Sequence, residues 1–312
     1  MTKELHHGRT HVRFLRLKAA LEGRRKESEP EVGLKNQTPS EWAEQNLDFI
    51  PENKQKEVLD HTGKRLILNC ARQWGKTTVV AIKALYEAIH QPKTNILVLA
   101  SSEKQAGVLI EKAQVHAARL GYPKKRYQGR KHSLELPNGS KIFAVAHNRS
   151  AALGYTADIV IVDEAAIVKD EVFAAILPSL TRTNGKLWML STPSGQTGIF
   201  YEIWHDQTQK RAGRAGTAPT GEQLAHQAGP ERVRCARIPQ EEWRRVTATI
   251  DDAPYADKTV VAMQMKIFPA RAKQDYYCEF VQPAGRLLTR EQIEAMIDDS
   301  IEPVHFEEPR WN

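Results

Sequence analysis

Lysines and arginines number 45 against 38 aspartates and glutamates in this 312-residue chain, giving a formal charge of +7 and an isoelectric point near 9.2. The length accommodates one large domain or two modest ones, and the charge permits a polyanionic partner without requiring one, because clustering, not a sum, makes a nucleic-acid footprint. Three scattered cysteines (Cys70, Cys235, Cys278) argue against a disulfide framework or a zinc site. The charged N-terminus and the lack of any apolar run near about 20 residues argue against a signal peptide and a membrane helix, so a cytoplasmic protein with no membrane contact is expected.

Residues 1–35 are polar and rich in Arg, Lys and Glu, and read as a flexible basic arm with one short helix at 12–21. Thr38, Pro39 and Glu41 mark a helix start, and a second short helix follows Pro51. RLILNC (Arg65–Cys70) predicts a strand, and the segment from Thr77 predicts a helix with Val80, Ala84, Leu85 and Ala88 inward. A buried strand at 95–100 precedes a helix that starts at Ser102 and is closed by Gly121. A hairpin is expected across Asn138-Gly139. DIVIVDE (158–164) and KLWMLS (Lys186–Ser191) read as two further core strands with the helix EVFAAILPSL between them. Short apolar strands interleaved with helices predict an α/β fold with a mainly parallel sheet covered by helices on both faces.

Beyond about Gly198 the regularity weakens. Residues 207–230 are Gly-, Ala-, Thr- and Gln-rich and read as an exposed loop, 233–238 as a strand, and the stretch to Phe280 as small helices. The expected organisation is an arm at 1–35, a core at 36–200, a small lid-like subdomain at 201–285 and a tail at 286–312.

The chemistry concentrates in LILNCARQWGKTT. A strand entering a tight loop with Gly75-Lys76-Thr77, followed by a helix, is the setting of a Walker A loop, in which backbone N–H groups and a helix N-terminus face an anion. Residues Ala71, Gln73, Trp74, Gly75, Lys76, Thr77 and Thr78 would line a nucleotide. Lys76 would neutralise the β- and γ-phosphates of ATP, and the Thr77 hydroxyl would hold Mg²⁺. The first glycine of the usual pattern is replaced by Cys70. In IVIVDEAA, Asp163 would take Mg²⁺ through water and Glu164 would polarise the attacking water, although an Asp-Glu pair after a strand also suits a helix cap. That order of motifs points to a hydrolysing motor ATPase of the ASCE, RecA-like P-loop class. Ser191, Thr192 and Pro193 end a strand at the edge where parallel sheets place ligands, and would sense the γ-phosphate or form an ordinary turn. Gln55 would read an adenine edge.

Taken together, LNCARQWGKTT, IVIVDEA, LSTPSG and PENKQKEVL resemble the ATPase domain of the large terminase subunit of tailed bacteriophages, over about residues 38–285. The Arg-Gln inside the loop is the most specific element. The resemblance implies that Arg72 brings positive charge to the γ-phosphate, that Gln55 is the adenine motif, and that Ser191-Thr192-Pro193 couples hydrolysis to movement. It further implies translocation of double-stranded DNA into procapsids in a bacterial host cytoplasm, by a homo-oligomeric ring working with a small terminase subunit and a portal protein. The family usually continues into an RNase H-like nuclease domain. Only a short acidic stretch (Asp298, Asp299, Glu302, Glu307) follows here, so no nuclease activity is expected.

Basic clusters at 124–132, at Lys210, Arg211 and Arg214, and at Arg232, Arg234, Arg237, Arg244 and Arg245 are candidate contacts to DNA phosphates. Two other readings stay open. One is a helicase-type or other RecA-like DNA-stimulated ATPase; the other is a non-hydrolysing, nucleotide-responsive DNA-binding assembly subunit.

Overall fold

A computed structural model describes residues 37–145, 154–205 and 243–282. The expected arm, the loop at 207–230, the strand at 233–238 and the tail lie outside the described residues.

The first helix, α1 (Pro39–Leu47), begins where its sequence dictates. Thr38 is the N-cap, Pro39 sits at the first turn, and Thr38 and Glu41 form a reciprocal capping box. Then come α2 (Asn53–Leu59), β1 (Arg65–Cys70), α3 (Lys76–His90), β2 (Asn95–Leu99) and α4 (Glu103–Arg119). Ser102 caps α4 through its side chain, and Gly121 leaves the helix with φ +80°. A hairpin of β3 (Ser133–Glu135) and β4 (Lys141–Ala144) precedes β5 (Ile159–Asp163), α5 (Asp170–Ile176), β6 (Lys186–Ser191) and α6 (Ile199–His205). After 206–242 come β7 (Arg244–Ala248), α7 (Lys258–Ile267) and α8 (Pro269–Tyr277).

The seven strands form one sheet in the order β3-β4-β2-β5-β6-β1-β7, parallel throughout except for the β3–β4 hairpin. Alternation along the strands divides the core in two. Leu66, Leu68, Ile96, Val98, Ile161, Trp188 and Leu190 face a layer formed with α1 to α4. Ile67, Leu97, Val160, Val162, Leu187 and Met189 face the layer formed with α5 and α6. Covering both faces explains why these strands read as unbroken apolar runs.

One strand was not anticipated. Arg244–Ala248, inside the stretch expected to form the lid, pairs in parallel with β1 through Asn69 and Thr247 and makes the edge of the main sheet. The carboxyl ends of β1, β5, β6 and β7 therefore open on one side, where a doubly covered parallel sheet places its ligands.

Candidate active site

The loop after β1 is tied from both sides. Ala71 N–H donates to Ala248 O of β7 (2.7 Å) and Arg72 N–H to Asp275 O of α8 (2.8 Å). Asn69 Nδ2 donates to Cys278 O (2.9 Å), so the end of α8 is docked at the mouth of β1. The turn then passes through left-handed backbone at Gln73 (φ 65°) and Gly75 (φ 96°). Gly75 is the residue that makes this turn accessible at low cost. Cys70, in the place of the usual first glycine, is wholly buried in the core layer, where burial pushes its thiol pKa well up. Trp74 also turns its indole into that layer. Its contribution to the site is its carbonyl, which accepts from Tyr255 Oη (2.6 Å) and Gln55 Nε2 (3.2 Å).

Helix α3 starts at Lys76 with Gly75 as a cap lacking a side chain, and no acidic residue occupies its first turn. Its leading N–H groups and positive dipole end are thus left for an external anion.

The strand β5 delivers the carboxylates. Buried Asp163 accepts from Thr77 Oγ1 (3.3 Å) and from Glu164 N–H (2.9 Å). Burial, then the neighbouring Glu164, raise its pKa to about 6, against the opposing pull of Lys76. Glu164 leaves the strand in left-handed backbone (φ 54°), an uncommon state for a non-glycine residue. Its Oε1 lies 3.3 Å from Lys76 Nζ. Lys76 Nζ also reaches Thr192 Oγ1 at 3.5 Å. Ser191 Oγ donates to Thr192 O (2.7 Å) and accepts from Ala166 N–H (3.2 Å), fixing the end of β6 beside the turn that holds Glu164. Pro193 follows, buried.

Lys76, Thr77, Asp163, Glu164, Ser191 and Thr192 therefore converge at the carboxyl end of the sheet. Gln55 stands over the loop, but its amide is already engaged: Oε1 accepts from Glu52 N–H (3.1 Å) and Nε2 donates to Trp74 O. Its other N–H faces the Tyr255 hydroxyl, so in the unliganded protein one Oε1 lone pair remains for a ligand. Arg72 is placed differently from the expectation that it faces the γ-phosphate. Its Nε pairs with Asp275 Oδ2 at 3.1 Å, an oxygen shared with Arg271 Nε at 2.9 Å. Thr78 Oγ1 accepts from Lys112 Nζ of α4 (2.8 Å), a cation that carries no motif.

Several basic residues considered for DNA are engaged within the fold. Arg130 lies among Phe143, Tyr155 and Tyr127, 5.1, 5.5 and 5.8 Å from their centroids, with an N–H on Tyr155 Oη. Lys125 pairs with Glu135, Arg244 pairs with Glu57, and Arg245 donates to the carbonyls of Ile203 and Trp204. Lys210, Arg211, Arg214, Arg232, Arg234 and Arg237 lie outside the described residues.

An all-oxygen donor set of one hydroxyl and one carboxylate, Thr77 Oγ1 and Asp163 Oδ2, fits Mg²⁺, which binds through one or two protein oxygens and completes its shell with phosphate and water.

A parallel sheet with this loop on β1, the acidic pair on β5 and the β6 strand between them defines an α/β fold of the P-loop, ASCE class. The family model for the terminase large subunit, T4likevirus-type, N-terminal, matches residues 67–295, and the chain belongs to that family. Among curated proteins it is similar to the large terminase subunit of Thermus phage G20c, 27% identical over 191 residues, which is 55% of this chain and 39% of the relative. The large terminase ATPase domain of Thermus phage P74-26 has a similar fold, with a TM-score of 0.59 and 22% identity over 79% of this chain and all of that one. A second is the large terminase of a thermophilic bacteriophage in complex with ADP, with a TM-score of 0.56 and 15% identity, covering 74% of this chain and 53% of that one. The match thus takes in well under half the length of the curated relative.

Proposed function

We propose that this chain is the ATP-hydrolysing motor part of a phage or prophage terminase that drives double-stranded DNA into procapsids. One observation carries the reading: Lys76 is bracketed by Glu164 and Thr192 while Thr77 meets Asp163, all at the uncapped start of α3. The ADP complex of the thermophilic phage terminase supports a nucleotide in this fold.

The roles follow from position. The loop from Ala71 to Thr78 holds the phosphates through its backbone and Lys76. Thr77, and Asp163 through water, would hold Mg²⁺, which would offset the charge of the phosphates. In the structure Lys76 is paired with Glu164; a triphosphate takes over Lys76 and frees the carboxylate to orient and activate water. Thr192, within reach of Lys76, registers that exchange, and Ser191 passes it to the turn at Ala166. Arg72, drawn from Asp275, would add charge at the γ-phosphate. Gln55 meets the base. Within 201–285, β7 belongs to the core sheet, and α7 with α8 acts as the lid-like element, tied to the loop through Asp275. DNA contacts are to phosphates and independent of sequence, and a ring of copies engages the small terminase subunit and the portal in the bacterial cytoplasm.

Steady-state ATP hydrolysis by the purified chain, with duplexes of unrelated sequence, tests this. Stimulation by every duplex is expected, falling steeply between roughly 50 and 200 mM salt. Stimulation confined to one sequence, or indifferent to salt, contradicts the DNA reading.

A further inference from the structure

The two flanks of the phosphate loop differ in kind. Asp163, Glu164, Ser191 and Thr192 all come from β5 and β6, which lie on one side of β1 in the sheet. They mark that flank as the γ-phosphate end of a bound nucleotide. β7 lies on the other side of β1, and the chain leaving it comes back to the loop at Tyr255. The base must extend toward this second flank, because the first is filled by the catalytic and metal-binding groups.

Two side chains meet the loop there. The Tyr255 hydroxyl donates to Trp74 O at 2.6 Å, and Gln55 Nε2 donates to the same carbonyl at 3.2 Å. A β-carbon placed on Gly75 would lie 3.4 Å from Tyr255 Oη and 3.5 Å from Gln55 Nε2, so both close over the loop at its tightest point. Tyr255 is nevertheless 61% exposed. Its polar tip is satisfied while its ring stays in water, which costs hydrophobic free energy in the unliganded protein and is recovered by covering the ring.

We propose that Tyr255 is the stacking platform for the base of the bound nucleotide, with Gln55 at the base edge. The inference rests on the nucleotide-hydrolase reading and deepens it. Every base has a π-face, so Tyr255 contributes affinity for a nucleobase over bare polyphosphate, and Gln55 is left to distinguish one base from another.

The test is equilibrium binding to the full chain of two probes, ADP and inorganic tripolyphosphate, for the wild type, Tyr255→Leu and Tyr255→Phe. Both variants lose the hydroxyl that meets Trp74 O, so their shared effect on tripolyphosphate reports the loop; beyond that, Tyr255→Leu is expected to weaken ADP roughly 5- to 150-fold relative to Tyr255→Phe, with no such difference for tripolyphosphate. Equal losses for both probes in Tyr255→Leu would assign the residue to holding the Trp74 carbonyl instead, and an unchanged ADP affinity would remove it from the site; either result overturns the stacking role. A wild-type chain that binds neither probe refutes the nucleotide reading itself, and the stacking role with it, so the two failures are told apart.

Discussion

The Arg72 guanidinium rests against the buried carboxylate of Asp275, Nε to Oδ2 at 3.1 Å, while the Arg72 N–H donates to the carbonyl of the same residue. The phosphate loop and α8 are thus joined twice at one pair of residues. Asp275 is almost fully buried and Arg72 is half exposed, so the pair is partly protected from screening. Arg72→Ala and Asp275→Asn should be non-additive, with a coupling of about 1–2 kcal/mol in urea unfolding. Strictly additive effects would show that the contact contributes nothing.

A second prediction concerns Lys83, which is buried on α3 beneath the site. Its Nζ donates to Leu59 O and His61 O, both at 2.6 Å, and lies 5.2 Å from the centre of the Trp188 ring. Desolvation lowers its pKa to about 8; Glu87 opposes that and Lys186 adds to it. Between about 8 and the ordinary lysine value the unfolded chain binds more protons than the folded one, so this group makes stability rise with pH across that window. The rise is complete above the ordinary value and is lost as pH falls to about 8. Urea midpoints from pH 7 to 10.5 should climb less steeply for Lys83→Met than for the wild type. Parallel curves would mean that Lys83 titrates normally.

Gly75→Ala tests the loop itself. At φ 96° a side chain costs about 1–2 kcal/mol, while the new carbon would meet Tyr255 Oη and Gln55 Nε2 only in ordinary contact. A lower urea midpoint together with weaker ADP binding is expected. An unchanged midpoint would mean that the turn relaxes without strain.

Much of this was legible in the sequence, for physical reasons that differ by element. Strands β1, β2, β5 and β6 are covered on both faces and so appear as apolar runs that few other structures produce. Thr38, Ser102 and Gly121 announce helix ends because their backbone chemistry is needed there. The edge strand β7 was not legible. RRVTA buries only Val246 and Ala248 and leaves the other three residues exposed or half-buried, so its pattern is short and weak. Arg72 was recognised as a loop residue, yet its partner lies on α8, far along the chain, and no spacing rule connects the two. Tyr255 and Lys112 belong to no motif; their roles come from where β7 and α4 deliver them. The 124–132 cluster shows the limit of counting charge, since Arg130 is held among three aromatic rings and Lys125 by Glu135.

The central claim is that Glu164 activates water on a nucleotide held by the Lys76 loop, and Glu164→Gln measures it most directly. The amide keeps the shape of the side chain and removes the base. ATP binding should persist, or tighten as Lys76 loses its carboxylate partner, while turnover falls by roughly 100- to 10,000-fold. Hydrolysis at the wild-type rate with binding intact would contradict the account.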